Sequence, residues 1–460
     1  MLTETANRDS RFSYWLRVRE FAVPPSMIET ATARRSTGDW AGACAAAGID
    51  TDLNLRSVAR AHGRELAALI RADLRHLAPD LLRWHLPRIA PDGLLRPGLT
   101  IALARYDTGG RDSPRPVRLV VRTPPAWADG GQRLSLALWD GSLSDAGTRR
   151  HPHPHPHRRF RLDLHRHLWD ARRADELRTR SGADRPPADG PPAPNPRLHR
   201  AAVDRWAAEA AILLRAEGLP TGPVTVRCGA RHRLLLEPVV DGHGPPALRI
   251  SAAPSDGGAA ALPVLPDAAT WVPPDLELLR AGAIDAGRLH PLVASALAPD
   301  HSPPGPDREP DPAGSPRPVE CRGDRHRIGL VNGVLVPLDH DPAEIRREEL
   351  LVALTGTPLP CLRAIDEAHR HPHCLAGVRE RLVHGDIAGA LAVVEGLLGP
   401  DAVLRNGALR DELEAAALRR VTHGLFRAGL TGGRSGPDGV PADRLRSRDH
   451  VSRPRLAAFH

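Results

Sequence analysis

Apolar residues recur at helical spacing through the first eighty positions, then at alternate positions from residue 99 onward. The first pattern predicts helices. Ser26 and Glu29 make an S-x-x-E capping pattern ahead of "MIETATARRST". A second helix is expected from Trp40 to Ala47, stopped by Gly48. A third runs from Ser57 to Leu77, with Val58, Leu66, Leu69, Ile70, Leu74 and Leu77 on one stripe. The period-two stretches "LTIALARY", "VRLVVRT", "RLSLALW" and "RFRLDLH" read as four strands of an antiparallel meander, closed by a helix over "LWDARRADELRTR".

Farther along, Asn195 and Pro196 provide the cap and first position of a helix that Gly218 ends. Strands follow at "PVTVRCG", "RHRLLLEPVV" and "ALRISAA", then a helical pair around "PDLELLRA" and "DAGRLHPLVASAL". A hairpin, "HRIGLVNGVLVPL", turns on Asn332-Gly333, the favoured two-residue connection. Helices fill 341–429, one of them starting at Asp341-Pro342 and stopping at Gly356.

Proline punctuates this series. "SGADRPPADGPPAPNP" (181–196) and the proline-rich stretch 299–318 can hold neither a helix nor a paired strand, because proline lacks the donor and crowds its neighbour. The expected fold class is α+β, with helical hairpins and antiparallel meanders in three modules, 1–180, 197–298 and 319–430, joined by those linkers. Residues 431–460 are poor in apolar groups and are expected to be disordered.

Composition changes the picture mainly by exclusion. The 460 residues contain 63 basic side chains of the Lys and Arg type, and all of them are arginine. A GC-rich genome accounts for this together with the abundant Ala, Gly and Pro, so the net charge of +8 carries little functional weight. The absence of lysine carries more. P-loop nucleoside triphosphatases, protein kinases, pyridoxal enzymes and Schiff-base aldolases all depend on a lysine amine, and arginine stays protonated. These classes are disfavoured, although a nucleotide site built on arginine is not. The five cysteines, Cys44, Cys228, Cys321, Cys361 and Cys374, form no CxxC pair and no disulfide framework. The charged N-terminus lacks an apolar signal core, and no apolar run is as long as a membrane span, so a cytoplasmic location without membrane contact is expected.

Two internal echoes stand out. "GDWAGACAAA" (38–47) and "GDIAGALAVV" (385–394) share G-D-x-A-G-A-x-A. The pattern resembles the inter-helix turn of tetratricopeptide-type hairpins, where a Gly ends one helix and an Asp caps the next; there is no 34-residue period, so a solenoid is not expected. The second echo sets "VRCGARHRL" (226–234) against "VECRGDRHRI" (319–328), each with a Cys closing one extended segment and Arg-His-Arg opening the next. Through "GDWAGACAAAGID", "LRHLAPDLLRWHLPR" and "PCLRAIDEAHRHP" the chain resembles uncharacterised multi-domain proteins of high-GC bacteria over most of its length. That resemblance implies no activity and supplies no functional residues.

The candidate chemistry is metal binding. The second echo offers Cys228, His232, Cys321 and His326, a Cys2His2 set suited to structural zinc if the two modules pack side by side. A cluster at 361–374 offers Cys361, His369, His371, His373 and Cys374, most of it on helices flanking Pro372. His151, His153, His155 and His157 alternate with proline, which favours polyproline II and fans the rings apart, so this run reads as a loop stutter. "DTDLN" (50–54) begins like a calcium loop, but Leu55 and Ala61 stand where Gly and Glu are required. Residues 149–180 carry ten arginines against four acids, which suits phosphate contact, yet aromatic residues for stacking are few. The expectation is a non-catalytic cytoplasmic scaffold or partner-binding component of a bacterial multi-protein system. Its alternatives are an arginine-mediated nucleic-acid binder and a zinc-stapled module or metal-dependent enzyme.

Overall fold

Glycine and proline decide where the N-terminal helices begin and end. The computed structural model describes residues 2–107, 116–141, 151–185, 198, 200–229, 232–239, 247–253, 261–301, 316–321, 323–355 and 358–430. Its first helices are α1 (Leu2–Phe21), α2 (Pro25–Ser36), α3 (Trp40–Ala46), α4 (Leu55–His62), α5 (Arg64–His76) and α6 (Pro79–His85). The capping box expected at Ser26 does not form. Pro25 at the first helical position starts α2 two residues earlier, after Pro24 and without a side-chain cap. The single helix expected over 57–77 is broken at Gly63, whose φ of 92° only glycine adopts easily. Leu69 falls outside the buried face of α5 and is exposed, while Leu66, Ile70 and Leu74 are buried.

The alternating stretches build the sheet they predict, with one exchange. Strands β4 (Thr100–Tyr106), β5 (Val117–Arg122) and β6 (Leu134–Trp139) are antiparallel neighbours, and β1 (Ile49–Thr51) adds to β6 in parallel. The fourth strand is therefore not 159–165. That stretch spends its amides on local turns (Phe160 to His157, Leu164 to Arg161, His165 to Leu162) and meets the sheet through one bridge, Ala102 to Arg161. A two-stranded ribbon, β2 (Arg88–Ile89) with β3 (Leu94–Leu95), lies between α6 and β4. The helix expected over 168–180 is two 3-10 turns and the short α7 (Glu176–Ser181).

The middle segment forms the meander its pattern predicts, β7 (Val224–Arg227), β8 (Arg233–Val239) and β9 (Ala247–Ala252), but its helix α8 (Trp206–Ala216) starts some ten residues later than expected, because Ala201 bridges to Trp271 and Val203–Arg205 is a 3-10 turn. Asn195 and Pro196 lie outside the described residues. Helices α9 (Asp267–Thr270), α10 (Pro274–Arg280) and α11 (Pro291–Leu297) follow. The pair α10 and α11 does not complete a middle core. Leu276, Leu278, Val293 and Leu297 pack into the same cluster as Val18, Ile70, Leu103 and Leu136. A smaller cluster around Trp206, Leu213, Val226 and Leu236 lies between α8 and the second sheet. The chain divides into two compact units, residues 1–128, 132–303 and 426–460 in one and 129–131 and 304–425 in the other. The first takes in both segments that proline separates at 181–196; residues 186–196 and 302–315 of the linkers and the tail 431–460 lie outside the described residues.

In the second unit β10 (Arg317–Cys321), β11 (Asp324–Val331) and β12 (Val334–Pro337) form an antiparallel meander. Asn332 and Gly333 take φ of 51° and 75°, the left-handed pair of a tight hairpin turn. Helices α12 (Pro342–Thr355), α13 (Pro360–Arg370), α14 (Leu375–His384), α15 (Ile387–Leu398) and α16 (Ala408–Ala428) follow. The core here is Ile328, Leu335, Ile365, Val378, Leu382 and Leu398 with Cys321 and Cys361. The G-D-x-A-G-A echo folds alike in both units. Asp39 accepts from the Gly42 amide at 2.8 Å and Asp386 from that of Gly389 at 2.9 Å, and an arginine five residues earlier, Arg34 or Arg381, pairs with each carboxylate. Among the described residues no helix is long and apolar enough to cross a membrane.

Candidate metal centre

Three segments of the second unit deliver ligands to one point. β10 ends at Cys321, where the chain turns through Gly323, at φ 92°, to start β11. His340 follows β12, held near the sheet because Leu338 donates its amide to Arg327 at 2.8 Å. Cys361 is the second residue of α13, whose Pro360 starts the helix without needing an amide partner. Donor atoms of Cys321, His340 and Cys361 all lie within 4.8 Å of one another.

The surroundings suit a cation that takes thiolates. Both cysteines are fully buried, and the His340 side chain is only 3 % exposed. Burial pushes the Cys361 thiol up to about 11, and the adjacent Cys321 sulfur and Asp339 push the same way. Cys361 stands at the start of α13, where the positive end of the helix dipole works against the effect of burial. His340 Nδ1 stands 3.5 Å from Glu344 Oε2, while its Nε2 is buried without a hydrogen-bond partner. A carboxylate on one imidazole nitrogen with the other turned inward is the usual support of a histidine ligand. His326 stacks on His340, centroids 4.2 Å apart and planes 10° off parallel, and its Nδ1 is also buried and unpartnered.

The donor set fits zinc. Ligands about 2.3 Å from a tetrahedral metal stand about 3.7 Å apart, so closing this set on an ion needs shifts of about 1 Å or less. Cys321, Cys361 and His340 would hold the ion; His326 lies parallel to His340 and packs against that ligand, its ring plane offset from the point where the three donors meet. The burial of these three donors suits a structural ion better than a solvent-facing catalytic one.

The sequence-level candidates are distributed differently. Cys321 and His326 are both at this centre. Cys228 and His232 belong to the other unit, across the β7–β8 turn, where the Cys228 amide donates to the His232 carbonyl at 3.0 Å. Burial pushes the Cys228 thiol up to about 11. Cys361 parts from its sequence neighbours. His369 is buried within α13, and Cys374 stands at the start of α14. His340 was not among the expected ligands, although the hairpin register carries residues 339 and 340 back beside Arg325 and His326.

The histidine–proline run does not gather its rings. His151 is buried, with Nε2 2.9 Å from the Thr123 carbonyl and Nδ1 near the His153 backbone. His155 lies edge-on to Trp139 at 5.8 Å, and His157 tilts over Phe160 at 5.0 Å. Burial, reinforced by Arg159, lowers the His157 pKa to about 4. His151, His155 and His157 are each held by a different neighbour. Comparison with known protein families, curated proteins and solved structures finds no match to this chain.

Proposed function

We propose that the second unit is a zinc-stapled module of a non-catalytic, cytoplasmic partner-binding protein. The observation that carries this reading is the convergence of Cys321, His340 and Cys361 within 4.8 Å. A second fact explains what the metal is for. Residues 304–425 contain no Trp, Tyr or Phe, so this core is built from Leu, Ile, Val, Ala and Cys alone. Aromatic residues bury about 150–250 Å² each and dominate most cores. A unit without them has less apolar area to bury, and a tetrahedral metal joining the β-meander, the loop after it and α13 offsets that shortfall. The non-catalytic part of the reading rests on the lysine-free composition, which removes the amine on which common phosphate-handling and imine chemistry depends. The test is elemental analysis of protein purified without a tag. About one equivalent of zinc is expected, lost in a Cys361→Ser variant. Metal-free protein that melts identically with and without added zinc would overturn the proposal.

A further inference from the structure

A cavity of about 540 Å³ lies between the histidine–proline stretch and the β7–β8 sheet of the first unit. Its walls carry Arg158, Arg159, Arg227 and Arg233, with Thr225, Val264 and residues 152–157. No carboxylate is among the described lining residues. Asp267 acts on Arg227 and His157 from behind, and Arg159 already engages both its oxygens, at 2.9 and 2.7 Å. Arg158 donates to the Leu262 carbonyl at 2.6 Å, so Arg227 and Arg233 supply most of the positive character of the wall among the described residues.

The arrangement is costly without an anion. Burial lowers the Arg227 pKa, and repulsion from Arg159 and Arg233 lowers it further. Arg227 Nε is buried without a hydrogen-bond partner. Like charges gathered in a partly dry recess destabilise a fold unless something negative shares them. Guanidinium forks match phosphoryl oxygens two at a time, and they do so without the lysine that this chain lacks.

We propose that this cavity binds a small compound bearing two or more phosphoryl groups, gripped by Arg227 and Arg233 and oriented by Arg158 and Arg159. A volume of about 540 Å³ is in the range of pockets that enclose ligands of nucleotide size. The walls offer no Trp, Tyr or Phe on which a strand of bases would stack, which favours a small ligand over a nucleic-acid strand. The site lies within the first unit and does not depend on the zinc reading.

Isothermal titration of the full chain with inorganic pyrophosphate at low salt tests this. Saturable binding at one site is expected, weakening as salt rises. Arg227→Ala and Arg233→Ala should each reduce affinity about tenfold or more. Arg56→Ala, on the exposed face of α4, should leave it unchanged. Arg233 is exposed, so its variant keeps the test valid if Arg227→Ala fails to fold. Absence of binding would overturn the proposal, as would undiminished, wild-type affinity in both cavity variants. So would tighter binding of single-stranded oligonucleotides with affinity rising with their length, the mark of an open nucleic-acid surface.

Discussion

Removing the carboxylate of Asp275 should unlock α1 from α10. Arg19 donates Nε and one terminal nitrogen to Asp275 at 2.6 and 3.0 Å, and the other terminal nitrogen to the Trp84 carbonyl at 3.0 Å. Trp84 Nε1 donates to the same carboxylate at 3.0 Å, and the guanidinium lies over the Trp84 ring at 4.3 Å. The ion pair is closed to water, its side chains 3 % and 1 % exposed. Asp275→Ala therefore leaves a guanidinium desolvated without its counter-charge, a loss of about 3–5 kcal/mol, and orphans the indole N–H for about 1 kcal/mol more. Against a total stability of about 5–15 kcal/mol, that is a large fraction. All eight tryptophans precede residue 272, so urea unfolding followed by tryptophan fluorescence reads the first unit alone. Arg19→Met combined with Asp275→Leu should recover much of the loss, since an apolar pair of similar size leaves no charge unpaired. A cost below about 1 kcal/mol for Asp275→Ala, the value of an exposed pair, would refute the reasoning and with it the assignment of α10 to the first core.

Two further outcomes are expected. Glu209 is buried, yet its pKa is lowered to about 2: burial alone would raise it, and the neighbouring His165 ring and the Arg180 fork, at 2.5 and 2.7 Å, more than offset that. A depressed folded pKa gives stability that is full above the unfolded value near 4.5 and is lost as pH falls toward 2. The contribution is about 3 kcal/mol, and Glu209→Gln should flatten the first unit's acid transition in that window, as read by fluorescence at stepped pH. Asp386→Ala removes both the α15 cap and the partner of Arg381, and should cost about 1–2 kcal/mol by circular dichroism, whereas Asp386→Asn keeps the cap and should cost less.

Local signals in the sequence were legible where one short stretch decides the outcome. Alternation places β4, β5 and β6, Asn332-Gly333 places its hairpin, and G-D-x-A-G-A gives the same capped helix turn in both units. Tertiary partners were less legible. β1 is three residues long, too short to show a period, yet it takes the sheet edge expected for 159–165. Gly63 divides a continuous apolar stripe because its backbone angle, and not its neighbours' hydropathy, ends α4. The candidate metal centre shows the same limit. Cys321 could be singled out from its echo, but its companions His340 and Cys361 come from separate elements, without ligand spacing to mark them. Extending the register of the Asn332-Gly333 hairpin would have placed residue 340 beside Arg325 and His326, and that was the one available clue.

The central claim is that a metal ion holds the aromatic-free second unit together. Thermal unfolding with and without a chelator, followed at once by far-ultraviolet circular dichroism and by tryptophan fluorescence, tests it most directly. Chelation should lower the transition seen by dichroism alone and leave the tryptophan transition in place, with restoration on adding zinc to the protein but not to Cys361→Ser. Two transitions that both ignore chelator and zinc would contradict the account.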